Sequence, residues 1–190
     1  MEHDITLTDG PVTLNPLSER DGPRLLAVVD RESWNGMSTP LPATGEEMSR
    51  QLATLIEMDG AMAFAVEYQG RFVGRTLLYD HVPDLRVEIG NTIYDRAVWG
   101  SVVNPTAKLL LLTYAFDTLG VGRVGLRCDS RNTRSHNAIR RLGATFEGTL
   151  RWFRPAADGS VADVDYFSIL TSERDAVCDR LRDRIGSMTN

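Results

Sequence analysis

Glu88-Ile89-Gly90-Asn91-Thr92-Ile93-Tyr94, followed by Trp99-Gly100-Ser101-Val102-Val103-Asn104-Pro105 and, further on, by Asn132-Thr133-Arg134-Ser135, is the stretch on which the reading of this chain turns. From Glu88 to Gly143 it reads as strand, glycine turn, apolar helix, strand and second short helix. A small-residue turn feeding a proline-started helix points several unpaired backbone N–H groups toward one place. Anions, phosphates above all, bind at such places through the free donors and the positive end of the helix dipole. A phosphate-bearing ligand is the first expectation.

Outward from that stretch the elements alternate. Upstream, Val12-Thr13-Leu14 is a short strand, and Ser18 with Asp21 opens a helix carrying Leu25, Leu26, Val28 and Val29. Thr44-Gly45-Glu46-Glu47 reads as a capping box for a helix with Met48, Leu52, Leu55 and Ile56 on one face. Ala61 to Tyr68 and Arg71 to Tyr79 form a hairpin about Gln69-Gly70, and Leu85 to Tyr94 is the next strand. Its alternation puts Arg86, Glu88 and Gly90 on one face and Val87, Ile89 and Asn91 on the other. The helix from Pro105 to Leu119 is apolar enough in its first half to be buried against a sheet. Strand Arg123 to Cys128, helix Thr133 to Leu142, strands Ala144 to Trp152 and Val161 to Ile169, and an amphipathic helix from about Ser172 to Arg184 complete the chain. The expected architecture is a single α/β (α+β) domain over residues 1–190, its core at about 10–172, on a mixed, mostly antiparallel sheet flanked by helices.

Composition narrows the class of function. The 190 residues are 42% apolar and 25% charged with a net charge of −5, which argues against nucleic-acid binding as the main task. The start, Met1-Glu2-His3-Asp4, lacks a secretory pattern, and the longest aliphatic run, Leu109 to Leu112, is too short to span a bilayer. Cys128 and Cys178 have no metal-like spacing and read as reduced thiols of a cytoplasmic protein. The three histidines, His3, His81 and His136, stand apart from each other and from both cysteines in sequence, so no metal is expected.

The element order, with Glu88-Ile89-Gly90, Trp99 to Asn104, Lys108-Leu109-Leu110-Leu111-Leu112 and Asn132-x-x-Ser135-x-x-Ala138-Ile139-x-x-Leu142-Gly143-Ala144, resembles the GNAT superfamily of N-acetyltransferases, and within it the RimJ/RimL branch. The resemblance covers roughly residues 10–172. It implies a splayed parallel strand pair, acetyl-CoA as acyl donor, and direct transfer to a primary amine of a protein N-terminus or small molecule. It implies that Ile93 and Tyr94 pair with the pantetheine arm, and that Trp99, Gly100, Ser101, Val102, Val103 and Asn104 hold the pyrophosphate. The chain departs from the family's loop pattern, with Ala97 at the basic or amide position and Val102 at the second small one. Ser101 and Asn104 offer hydroxyl and amide donors there.

An amine with a pKa of ~8 (α-amine) or ~10.4 (lysine) must lose a proton before attack, and the departing thiolate must gain one. Glu88 is the candidate base, or else a solvated carboxylate paired with Arg86. The resemblance places Asn132 and Ser135 against the cofactor arm, with Ser135 as thiolate donor and Tyr166 as a substitute; read as residues alone, Asn132 is a helix cap and Ser135 a surface position. One of Arg131, Arg134, Arg140 and Arg141 can meet the 3′-phosphate of CoA. Cys128 reads as core. Trp34 and Trp152 line the acceptor pocket or serve as core and dimer contacts, and Trp152-Phe153 leads us to expect a homodimer. Succinyl-CoA as donor, or an acyl-CoA sensor without turnover, are the competing readings.

Overall fold

Alternation and tight turns build the sheet strand by strand in the computed structural model, which describes residues 3–189; Met1 and Glu2, on which the N-terminal reading partly rests, and Asn190 lie outside them. β1 (Leu7–Asp9), a strand the sequence reading does not include, pairs with β2 (Val12–Pro16). β3 (Met62–Tyr68) and β4 (Arg71–Val82) form the expected hairpin, with Gln69 and Gly70 both at positive φ as a two-residue hairpin turn requires. β5 (Arg86–Tyr94), β6 (Arg123–Asp129), β7 (Thr145–Pro155) and β8 (Val161–Leu170) complete an eight-stranded sheet in the order β1-β2-β3-β4-β5-β6-β8-β7. Among the described residues only β5 and β6 are parallel, which demands a long crossover, and α3 (Val103–Thr113) supplies it.

The helices cover both faces. Leu25 of α1 (Gly22–Val28) and Met48 and Leu52 of α2 (Gly45–Ile56) pack with Ala63, Leu77 and Ile93 on one side. α3, α4 (Thr133–Leu142) and α5 (Arg174–Thr189) pack with Val87, Ile89, Val124 and Leu126 on the other. The capping box expected at Thr44 is half formed. Its hydroxyl accepts from the Glu47 amide at 3.2 Å, but the Glu47 carboxylate turns to the Ala43 amide at 2.8 Å. α3 is extended by a single π-helical turn, Tyr114–Thr118, closed by the Leu119 amide on the Tyr114 carbonyl. None of the described helices is long and apolar enough to cross a membrane.

The sheet opens where β5 and β6 part. They pair from Arg86↔Arg123 to Ile89↔Leu126 and no further. Beyond that point β5 stays with β4, through Ile93↔Arg75 and Tyr94↔Gly74, while β6 stays with β8 down to Asp129↔Val164. A bulge helps: Leu77 faces Gly90 and Arg75 faces Ile93, so Asn91 and Thr92 together oppose Thr76. Asn91 sits at φ 48, and the buried Arg75 donates Nη1 to its carbonyl at 2.7 Å. Burial holds the Arg75 guanidinium down at about 10. The strict alternation read from the sequence therefore ends at Gly90.

Gly74 sets this register. Its φ is 151, and a Cβ there lies 2.1 Å from the Ile93 carbonyl oxygen. Gly74→Ala is expected to lower stability by about 1–3 kcal/mol, read as a shift of the urea midpoint, because backbone must move to admit the methyl. An unchanged midpoint would show that the β4–β5 register tolerates that shift.

Candidate active-site cleft

The gap between β5 and β6 is a cleft of about 330 Å³. Ile89, Gly90, Asn91 and Thr92 form one wall and Leu126, Arg127 and Cys128 the other. Trp99, Gly100, Ser101, Asn104 and Lys108 close one end, and Asn132, Arg134 and Ser135 of the α4 start flank it. The loop Asn35 to Ser38 covers the top. Trp34, 2% exposed, roots that loop by donating Nε1 to the Thr39 carbonyl at 2.8 Å. Arg154 Nη2 donates to the Gly36 carbonyl at 2.7 Å, and Asn132 Nδ2 donates to the Asn35 carbonyl at 3.2 Å.

Lys108, Arg127, Arg134, Arg141, Arg154 and Arg184 line the cleft, and no carboxylate does. In a chain of net charge −5 that is a local reversal of sign. At the helix start the amides of Gly100, Val102 and Asn104 donate to no group among the described residues, and Pro105 has none to donate. The Val103 amide is taken by Ser101 Oγ at 3.3 Å, and that hydroxyl donates to the Val98 carbonyl at 2.6 Å. Gly100, at φ 75, is the loop position that needs glycine. Val102 sits at φ −65 with its side chain buried, so its methyls do not enter the cleft.

No basic side chain stands at Ala97, but one reaches the loop from α4. Arg134, in the first turn of α4, lays its guanidinium 3.6 Å from the centroid of the Trp99 ring, beside the free amides. No ion pair holds it among the described residues, and burial lowers its pKa. Arg131, by contrast, is held by Asp129 through two bonds of 3.0 and 2.7 Å, and Arg140 does not line the cleft.

Below the opening lies a second polar cluster. Glu88 is 9% exposed and still within the paired part of β5, opposite Tyr79 and Gly125. Arg127 brings Nε to 3.2 Å from Glu88 Oε2, donates Nε to the Tyr79 hydroxyl at 3.1 Å and Nη1 to the Tyr166 hydroxyl at 2.6 Å. Phe153, Tyr79 and Tyr166 surround the guanidinium. Burial, then the negative charge of Glu88, push the Tyr79 hydroxyl upward, so it stays protonated.

Asn132 Oδ1 caps α4 by accepting from the Ser135 amide at 3.0 Å, and Gly143, at φ 94, ends the helix. Capping and cleft placement coexist at Asn132. Burial and the nearby Asp165 push the Cys128 thiol up to about 11, so it stays a thiol rather than a nucleophile. Cys128 lines the cleft as well as the core, and its sulfur, a His136 nitrogen and an Asp165 oxygen lie within 4.8 Å of one another. His136 Nδ1 is 2.9 Å from Asp165 Oδ2, and Thr149 donates to the other oxygen at 2.7 Å. The sequence spacing of these three groups carries no sign of this meeting, which pairing of β6 with β8 produces.

Of the residues singled out from sequence, Trp99, Gly100, Ser101, Asn104, Asn132 and Ser135 meet at the cleft. Glu88, Ile93, Tyr94, Val102, Val103, Trp34 and Trp152 do not line it. Ile93 and Tyr94 turn into the two cores because the bulge moves the exposed wall back to Gly90–Thr92. Val103 is fully buried, and Trp152 points outward, 78% exposed at φ 54. Arg127 and Lys108 line the cleft without having been singled out as site residues, and Arg154, next to the expected Trp152-Phe153 pair, lines it too. Arg127 had one signal, its place two residues beyond Gly125 on the second splayed strand.

A family model described as an acetyltransferase (GNAT) domain matches residues 12–145. A candidate acetyltransferase from T. thermophilus has a TM-score of 0.89 at 32% identity, covering 97% of this chain and 99% of that one. Mycobacterium smegmatis RimJ, in complex with CoA-disulfide, gives 0.77 at 19% identity over 95% of each chain. RimL, a ribosomal-protein alpha-N-acetyltransferase, gives 0.75 at 19% over 87% of this chain and 94% of that one. The last two are likenesses of fold. A search of curated proteins gives no match.

Proposed function

The chain belongs to the acetyltransferase (GNAT) family, and on that premise we propose that it transfers an acetyl group from acetyl-CoA directly to a primary amine. The observation that carries the reading is the cationic cleft between the splayed strands, ending on free helix-start amides. A pyrophosphate fits that end: Gly100, Val102 and Asn104 supply amides and Arg134 supplies charge. The arm runs inward between Gly90–Thr92 and Leu126–Cys128, as the pairing gap there allows.

For the chemistry, the acceptor amine arrives largely protonated. In this reading Glu88, buried with Arg127 Nε 3.2 Å from its Oε2, takes that proton through one water, since the side chain itself does not line the cleft. The amine then attacks the thioester carbon; the C–N bond forms, the C–S bond breaks, Ser135 gives its proton to the departing sulfur, and the second proton lost by the nitrogen returns through solvent to the serine. A protein N-terminus or a small-molecule amine is the proposed acceptor, in a cytoplasmic protein. A homodimer belongs to the same proposal, supported by the exposed Phe146, Leu150, Trp152 and Phe153 on the outer strand β7. Arg127 and Arg154 in the cleft also favour an anionic acyl chain such as succinyl.

Thiol release from acetyl-CoA and succinyl-CoA, measured against N-terminal peptides and small amines, tests the reading. Acceptor-dependent release with at least one donor is expected. Tight coenzyme A binding with no acyl transfer to any amine would instead make the chain an acyl-CoA sensor.

A further inference from the structure

Lys108 lies in the second turn of α3, 6% exposed, and its ammonium donates to Thr92 Oγ1 at 2.9 Å. That hydroxyl is already shared with Thr76 Oγ1 at 2.7 Å. An ammonium carries three donors, and among the described residues Thr92 takes one. Other buried ionisable side chains have stronger partners: Glu88 has Arg127, Asp129 has Arg131, Asp21 has Arg24, and Arg75 has a peptide carbonyl. Lys108 has a neutral hydroxyl alone and faces the cleft. Burial without a counter-charge lowers its pKa to about 7, so the amine is half charged near neutrality.

Position decides what it meets. Lys108 is four residues beyond Asn104, or ~6 Å deeper along the helix than the free amides. Phosphates at the helix start are served by those amides and Arg134, whereas the next stretch of an acyl-CoA carries amide carbonyls. We propose that Lys108 is a cofactor-contacting residue for the arm rather than the phosphates: its ammonium donates to a carbonyl of the acyl-CoA arm, which ties cofactor affinity to protonation of this one amine. The assignment rests on the acyl-CoA reading above.

The charged and titratable groups around it set the sign. From β4 comes Tyr79, from β6 Arg127 and Cys128, from α4 Arg134 and Arg141, from β7 Arg154 and from α5 Arg184; β5 contributes the buried Tyr94 phenol to the same core as α3. None is a carboxylate, so nothing in the cleft restores the ammonium until a carbonyl arrives. A bound carbonyl raises the pKa of Lys108, and affinity is gained below about pH 7 and lost as pH rises through the bound value.

The test is calorimetry with two probes, coenzyme A and adenosine 3′,5′-bisphosphate, which has phosphates but no arm. Lys108→Met is expected to weaken coenzyme A binding about tenfold at pH 6.5 and by much less at pH 9, while the bisphosphate binds both proteins equally. Folding of this variant is expected, because a lysine whose folded pKa lies below its unfolded one costs stability at every pH below about 10. A measurement on the unaltered chain is independent of the variant. Near pH 7.5, in buffers of different ionisation enthalpy, coenzyme A should take up about half a proton more than the bisphosphate. Equal coenzyme A affinity in both proteins at pH 6.5, an equal loss for both probes, or no difference in proton uptake overturns the assignment. A wild-type chain that binds neither probe overturns the acyl-CoA reading itself.

Discussion

Glu88→Gln is expected to slow amine acylation about a hundredfold while leaving coenzyme A affinity unchanged. Glutamine keeps the volume and one oxygen of the carboxylate but cannot accept a proton. Arg127 Nε lies 3.2 Å from Glu88 Oε2, which is buried with no hydrogen bond of its own. Tyr79, Tyr166 and Phe153 gather around the same Arg127 guanidinium. If Glu88 removes the proton of the incoming amine, the variant's residual rate should climb with pH as more amine arrives unprotonated. A purely structural carboxylate predicts something else, a lower melting temperature and no change in the shape of the pH profile. Equal turnover in both proteins would remove Glu88 from the chemistry.

Arg134→Ala is expected to weaken coenzyme A binding about thirtyfold, as loss of one charge-assisted phosphate contact does. The loop before α3 carries no basic side chain of its own at Ala97, and Arg134 stands over Trp99 at 3.6 Å. Arg134→Lys should recover only part of the affinity, since an ammonium neither stacks flat on indole nor offers a fork to a phosphate. Arg140→Ala is the control: it lies on the same helix, is exposed and does not line the cleft, and should change affinity by less than twofold. Equal weakening in Arg134→Ala and Arg140→Ala would mean a general field of positive charge rather than a specific contact.

Both predictions concern residues whose roles were unevenly legible. Glu88 is visible in sequence through its strand position, yet Arg127, which holds it, is on a strand reached through the whole α3 crossover. Arg134 is one of four arginines in a row of candidates, and only the fold separates it from Arg131, which Asp129 occupies, and from Arg140, which faces away from the cleft. Lys108 reads as the polar start of an apolar run, and its meaning comes from burial without a carboxylate nearby. The departure at Val102 looks like an obstruction in sequence; in the fold its backbone is ordinary helix and its methyls face inward.

Local structure is legible in the residues themselves. Periodicity, caps and turn residues set the order of strands and helices, the Asn132 cap and Gly143 stop of α4, and the glycine turn before α3, because hydrogen bonding and backbone sterics act within a few residues. Where the cleft opens and what lines it depend on the assembled sheet. β5 follows β4 and β6 follows β8, so the parallel pair must part, and a buried arginine from β4 holds the bulge that ends the alternation of β5. Charge states in that gap depend on burial and on neighbours brought from distant strands, and neither can be read from the residues next door in the chain.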